Sequence, residues 1–461
     1  MTAGVLGMMT MQNEFSTARM REVWSDHQRL DKMCQVERTL AQVQGQLGII
    51  PKSVADEINQ KVQVDQIDIR QLYLASARAG HFTSGFVKYL SSQLSPEASE
   101  YIHYGATTQD ILDTSAILQL REAHSLIVEM LTRIIERLLE QAQTFRQTIM
   151  VGRAHGQHSA PTTLGYKLAI IIDELDRSLQ RLESVAKFVF SGSISGVVST
   201  YASYGPLAID VERVVCHALK LSVPRVPWHT QRDRFIEYAH ILTLISGTLG
   251  KFGQDLYDMS RSELGEFEEM YHAGRQGSTT IPTLRPPYIC EAIVNLSGLI
   301  SQSMGLMYQS SRLTHEKDTI GWRNQWVALP EICLYLSAQL NYTQALLKAG
   351  RYNIDRIESN LYLKDGELLS EHVMFCLGRL IGKESAHQVL YQVMNNAKAQ
   401  GISFAKSLHL NDTMKEYFTE KEINYMLDPN LYIGQAIHKT DLVINEVRER
   451  LEKKSGRHKN D

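Results

Sequence analysis

The sequence predicts an all-α fold built around a bundle of long helices, and three observations carry that prediction. Long stretches contain neither glycine nor proline, apolar residues recur in them at steps of three and four, and strand-like alternation is scarce. With 461 residues, 43% hydrophobic and 21% charged, the chain is too long for one ordinary domain, so two or three domains sharing a large core are expected.

Three regions follow in chain order. A smaller helical region spans residues 1–110, a long-helix bundle spans 111–353, and a C-terminal helical region spans 354–461, opened by the loop Lys364-Asp365-Gly366-Glu367. Neither glycine nor proline occurs between Gly105 and Gly152, which predicts one unbroken helix over Ala106–Val151. Leu120, Ile127, Leu131, Ile134 and Leu138 share one face of it, with Glu122, Arg133, Glu136 and Arg137 between them. A helix beyond about 25 residues points to a coiled coil or a long bundle. Tyr166–Ser191 repeats the pattern through Leu168, Ile172, Leu175, Leu179 and Leu182. So do Trp228–Ser246 and Gln325–Leu347, the latter with Pro330 near its start. In such a bundle the chemistry is expected on the connecting loops.

Charge and composition exclude several classes. A net charge of -3 does not call for a polyanion, so no nucleic-acid partner is expected. The residues from Arg448 through Lys453, Lys454, Arg457 and Lys459 read as a frayed, solvated end. Cys34, Cys216, Cys290, Cys333 and Cys376 are scattered, with no C-x-x-C pair, as in reduced thiols of a cytoplasmic protein. Met1 to Phe15 has no basic region followed by a long apolar stretch, so no signal peptide is expected. No run of about eighteen apolar residues predicts a membrane span.

Three segments pack small, hydroxyl and imidazole residues between helices. The first, Tyr101 to Asp110, includes His103 and the pair Thr107-Thr108. Hydroxyls and amides at a helix N-terminus suit a carboxylate. Taken alone, an ordinary capping role for Thr107, Thr108 and Asp110 has the better odds. The second is Gly152-Arg153-Ala154-His155-Gly156-Gln157-His158-Ser159-Ala160-Pro161-Thr162-Thr163. No further histidine, cysteine or carboxylate cluster completes a metal site here, so no metal is expected. His155 suits acid/base work near neutral pH, whereas His158 reads as a hydrogen-bonded turn residue. The third is Gly277-Ser278-Thr279-Thr280-Ile281-Pro282-Thr283-Leu284-Arg285-Pro286-Pro287. Its composition fits a surface connection, a phosphate cradle or a lid, and no G-K-[ST] follows as a nucleotide-binding loop requires.

In this order the three segments resemble the shared motif regions of the fumarase/aspartase superfamily, over about Phe15 to Val447. The third resembles the family's G-S-S-x-M-P-x-K-x-N-P loop. Gly152 to His158 with Pro161-Thr162-Thr163 is similar to adenylosuccinate lyase. Pro227-Trp228-His229-Thr230-Gln231-Arg232-Asp233-Arg234, Gly321 to Trp326 and Leu427 to Gly434 look like 3-carboxy-cis,cis-muconate cycloisomerase, the branch favoured here.

The resemblance implies a three-part subunit whose central helices form a twenty-helix core in a homotetramer. Each active site would draw the three segments from three different subunits. The family chemistry removes a proton next to a carboxylate and eliminates or adds a group at the neighbouring carbon of a small carboxylate substrate. By position, Ser278 is the base and His155 protonates the leaving atom. A free hydroxyl is a poor base, so amides and dipoles must stabilise its alkoxide, and Gly277 lets backbone approach closely enough to supply them. His103, Thr107, Thr108, Gln157, Thr279 and Arg285 would meet the substrate, with Arg232 and Arg234 as further cations. The family chemistry needs no cofactor.

The departures lie at the carboxylate-holding positions. Leu284 stands where the family has lysine, Pro286 where it has asparagine, Ile281 for methionine, Thr279 for serine, and Ala154 for threonine. Losing a cation that faces developing negative charge raises the barrier by several kcal/mol. Arginine is not interchangeable with it. Two classes therefore remain: an active lyase or cycloisomerase with an altered substrate, favoured by Ser278 and His155, and a catalytically impaired ligand-binding or structural homologue.

Overall fold

Helices dominate the computed structural model, which describes residues 4–270 and 277–457. The elements that position the chemistry are α1 (Asp26–Gln46), α2 (Thr108–Thr144), α3 (Leu164–Val189), α4 (Asp233–Met259), α5 (Tyr288–Gln309) and α6 (Ile320–Ala349). The apolar spacing read from the sequence is the reason they form. Leu120, Ile127, Leu131, Ile134 and Leu138 of α2 are all fully buried, as are Leu175, Leu179 and Leu182 of α3. Ser25 starts α1 by accepting the Gln28 amide, a bond that satisfies one of the helix's orphan donors.

The expected helix over Ala106–Val151 is shorter than its glycine-free span. It ends at Thr144, and Ile149–Ala154 (β1) pairs antiparallel with Gln157–Thr163 (β2). Ile149 faces Thr163, Met150 faces Thr162 and Val151 faces Pro161. Four of these six residues are β-branched, which suits a pleated strand, and nothing in a missing glycine reveals an available partner. The second chemistry-bearing segment is thus a hairpin instead of an irregular loop. A second short pair joins Phe267–Glu268 (β3) to Arg351–Tyr352 (β4).

The chain divides into two compact units. One draws on Ser178–Gly250, Asn295–Asn341 and the chain up to Leu131. Trp228, Phe235, Tyr238 and Trp322 fill its interior, and the Trp228 indole donates to the Gly192 carbonyl at 2.7 Å. The other unit draws on Thr132–Arg177, Lys251–Val294 and the chain from Tyr342 onward. Its C-terminal helices close over Val373, Leu377, Leu390, Val393, Phe404, Leu408 and Ile423. The terminal segment expected to fray is helical from Ala436 as far as Arg457, while Lys459 lies outside the described residues. Among the described residues, α5 alone is long and apolar enough to cross a membrane by composition, a test that core helices of soluble proteins also pass.

Candidate active site

The first segment ends in a capped helix. Asp110, at the third position of α2, accepts the Thr107 amide at 3.0 Å, the carboxylate half of a capping box. The hydroxyl of Thr107 faces elsewhere and accepts a hydrogen bond from Lys317 Nζ at 2.7 Å. Lys317 is half-buried, and burial lowers its pKa despite Asp110 and Asp113 nearby. Thr107 therefore sits beside a desolvated cation at a helix N-terminus, where a carboxylate is favoured. Sequence reasoning missed Lys317. The signal was the charged run Thr314-His315-Glu316-Lys317-Asp318, in a chain whose family lysine is missing at position 284.

His103 stands just before this turn with a left-handed backbone, φ 63°. Its Nδ1 donates to Glu37 Oε1 at 2.7 Å, and the Glu37 side chain is 0% exposed. Burial opposes charging the ring, but the charge of Glu37 and its hydrogen bond outweigh that, and the pKa is raised. A raised pKa fixes the sign of the pH dependence. The pair's contribution to stability is fully present below the ordinary histidine range and is lost as pH rises through the raised value. The unfolding midpoint should therefore fall over that interval in the wild type by more than in Glu37→Gln. Parallel curves for the two proteins would show that the pair contributes nothing.

Arg232 is committed to the interior. Its side chain is 0% exposed and grips Asp113 with two donors, at 3.0 and 2.5 Å. Trp322 and Gln109 also donate to Asp113. The guanidinium further bonds the His229 carbonyl and lies over the rings of Trp228 and Phe235. Arg234 is half-buried, lies over the Trp228 ring and reaches the Phe188 carbonyl. Arg232 and Arg234 are thus explained by packing, with no donor of Arg232 left for a ligand in this arrangement except its Nε.

The second unit carries the other two segments. β1 and β2 are joined by His155-Gly156, with φ 53° and 76°, the two positive values that a tight hairpin turn of primed type demands. His155, Gly156 and Gln157 are exposed at this tip. Arg153 fastens the hairpin through two bonds, at 2.9 and 2.5 Å, to a fully buried Glu266, which also accepts from Asn360. His158 lies on β2 instead of in the turn, its Nδ1 is buried without a hydrogen-bond partner, and burial with the nearby Arg153 lowers its pKa.

The third segment is a tight loop. Ser278 is half-buried, and its Oγ accepts the amides of Thr280 at 3.1 Å and Ile281 at 3.0 Å. A Cβ on Gly277 would lie 2.0 Å from the Leu284 carbonyl oxygen, so only glycine fits this closure. Thr279, Leu284 and Arg285 are exposed. Two amides converging on a hydroxyl make an ordinary serine turn, and they are also the donors an alkoxide needs. No hydrogen bond joins Ser278 to His155. Among the described residues no group of three or more histidine, cysteine or acidic side chains is arranged to hold a metal ion. The five cysteines are free and four are buried, with burial pushing the Cys34 and Cys216 thiols up to about 12, which removes them as nucleophiles.

Comparison with known proteins supplies the context for these segments. A family model described as a lyase matches residues 11–302. The chain is 39% identical over 444 residues to N-acetyl-S-(2-succino)cysteine lyase of Dickeya dadantii, covering 96% of this chain and 98% of the relative. It is 35% identical to 3-carboxy-cis,cis-muconate cycloisomerase of Pseudomonas aeruginosa, over 92% of this chain and 93% of that one. The crystal structure of 3-carboxy-cis,cis-muconate lactonizing enzyme from Pseudomonas putida superposes with a TM-score of 0.87 at 32% identity, covering 95% of this chain and 98% of the other.

Proposed function

Since the chain belongs to the fumarase/aspartase lyase family, we propose that it cleaves a succinylated thioether by β-elimination, releasing fumarate and a thiol. The observation that carries this reading is the near-complete 39% match to a lyase named for N-acetyl-S-(2-succino)cysteine. A cycloisomerase reaction is the second reading, supported by relatives of that name at 35% identity.

In the proposed reaction, Ser278 Oγ removes a proton from the carbon next to one carboxylate. The amides of Thr280 and Ile281, already directed at that oxygen, hold the negative charge of its alkoxide. The bond from the neighbouring carbon to sulfur then breaks, the electron pair leaves with sulfur, and the remaining four carbons depart as fumarate. His155, at its exposed tip, supplies a proton to the leaving atom. Thr107 and Thr108, with His103 and Lys317 close by, hold a substrate carboxylate, and Lys317 provides the cation that Leu284 does not. Gln157, Thr279 and Arg285 complete the substrate's surroundings. Incubation with N-acetyl-S-(2-succino)cysteine should release fumarate and free thiol in equal amounts. Turnover of 3-carboxy-cis,cis-muconate without fumarate release would select the cycloisomerase reading. No turnover of either would favour an impaired homologue, the class kept open by Leu284 and Pro286.

We further place the protein in the cytoplasm, where its five unpaired thiols stay reduced, and assign it a homotetrameric state with sites shared between subunits. Supporting the assembly, only 28% of the most apolar stretch of α5 is buried within the chain. A helix that apolar is stabilised by burial, and further copies of the chain provide it. Sedimentation at micromolar concentration should give a species near four times 52.3 kDa, and a stable monomer would remove the shared-site model.

A further inference from the structure

A second hydroxyl in this molecule is held as a nucleophile is held. Ser199 Oγ lies 3.1 Å from His229 Nδ1, and the opposite ring nitrogen, Nε2, lies 3.0 Å from Asp110 Oδ1. The Asp110 carboxylate is buried at 0% exposure and accepts, besides His229, the amides of Thr107, Ser195 and Gly196 and the hydroxyl of Tyr204. A carboxylate so surrounded by donors is an acceptor only, which requires the proton of the neutral ring on Nε2. Nδ1 is then the acceptor, and the hydrogen bond runs from the Ser199 hydroxyl into the ring. The His229 carbonyl is fixed by Gln109 Nε2 at 2.7 Å and by Arg232 at 2.6 Å, so the imidazole is anchored from its backbone as well.

The backbone supports the same assignment. Ser199 adopts φ 60°, and Tyr201, two residues on, adopts φ 63°. Non-glycine residues in left-handed conformations are strained, and persist where surrounding contacts over-determine them, often at functional sites. Here the turn is closed by the Tyr201 amide on the Ser195 carbonyl at 2.9 Å, and the Tyr201 hydroxyl donates to Glu212 at 3.0 Å. The result keeps Ser199 half-exposed while His229 and Asp110 behind it are buried.

We propose that Ser199, His229 and Asp110 form a proton relay that makes Ser199 a reactive nucleophile, separate from Ser278, toward small activated acyl esters and sulfonyl or phosphoryl fluorides. In the step, Ser199 Oγ forms a bond to the electrophilic carbon, sulfur or phosphorus, and the bond to the leaving group breaks. The Ser199 proton passes to His229 Nδ1, and Asp110 holds the resulting imidazolium. With an acyl ester, His229 returns the proton to the departing alcohol, and water later releases the acid. The arrangement depends on bonds present in the free chain and does not rest on the lyase reading.

The test uses the full-length protein and diisopropyl fluorophosphate, followed by peptide mass mapping. The expected result is one adduct on Ser199, absent in Ser199→Ala and formed at least about 10²-fold more slowly in His229→Gln, as loss of a positioned general base implies. A bridge with a purely structural role would leave Ser199 no more reactive than other serines. Absence of an adduct on Ser199, labelling confined to Ser278, or an unchanged rate in folded His229→Gln each overturns the proposal. Because His229 is buried, that variant is one arm only, and mapping on the wild-type protein decides the site even if it does not fold.

Discussion

Ser278→Ala is expected to lower kcat by roughly 10²–10⁴-fold on the succinyl thioether, the range that a positioned proton acceptor contributes. The thermal midpoint should stay near that of the wild type. The reason lies in what the hydroxyl touches. Its described partners are two amides of its own loop, Thr280 and Ile281, both at exposed positions where water replaces the lost acceptor. The loop's closure rests on the fit of Gly277 against the Leu284 carbonyl, which the substitution leaves alone. Fumarate release and thermal unfolding measured on one preparation separate the two effects. An unchanged kcat/KM would remove Ser278 from the chemistry altogether. His155→Asn makes a graded comparison, because asparagine tolerates the φ of 53° at that position. Its loss should be larger for substrates with a poor leaving group than for a thiolate, which departs with less help from an acid.

Asp113→Asn carries the largest expected cost in stability, about 3–5 kcal/mol, the range seen when one partner of a buried ion pair is removed. Arg232 would keep its charge at a position where its side chain is 0% exposed. Trp322 and Gln109 would face an amide that offers one acceptor oxygen in place of two. The urea midpoint measures the effect, with the slope checked for a change in the unfolded state. The double variant Asp113→Leu with Arg232→Met should lose less than the two single variants together, since neither charge is then left unpaired. A loss below about 1 kcal/mol in Asp113→Asn would make this pair no better than one at the surface.

What the sequence reveals here is what is local. The α2 stripe from Leu120 to Leu138 was legible because a period of 3.6 residues is written in consecutive positions. The end of α2 was not legible, since Ile149 to Val151 become a strand only through Pro161 to Thr163. The sequence marks His155 for acid/base work and His158 as the turn residue, whereas the two-residue turn is His155-Gly156 and His158 lies on β2, because the pairing that sets the hairpin register is not local. Pairings between distant positions left no local trace. Glu37 meets His103 across 66 residues, and Lys317 meets Thr107 across 210. Arg232 was read as a cation near the substrate because charge is visible in a sequence and Asp113, 119 residues away, is not recognisable as its partner.

The carboxylate of Asp110 has a kinetic consequence as well. It gathers donors separated from it in sequence by 85, 86, 94 and 119 positions. Chain loops of that size must close before any of those bonds forms, and closure costs entropy in advance of the contact that repays it. This junction therefore belongs to the late part of folding, after α2 has acquired its local turns. Weakening it, as in Asp110→Asn, should leave the refolding rate nearly unchanged and hasten unfolding, so that the rate of escape from the native state carries most of the lost stability. A refolding rate that fell in proportion instead would put the meeting of these distant segments in the folding nucleus.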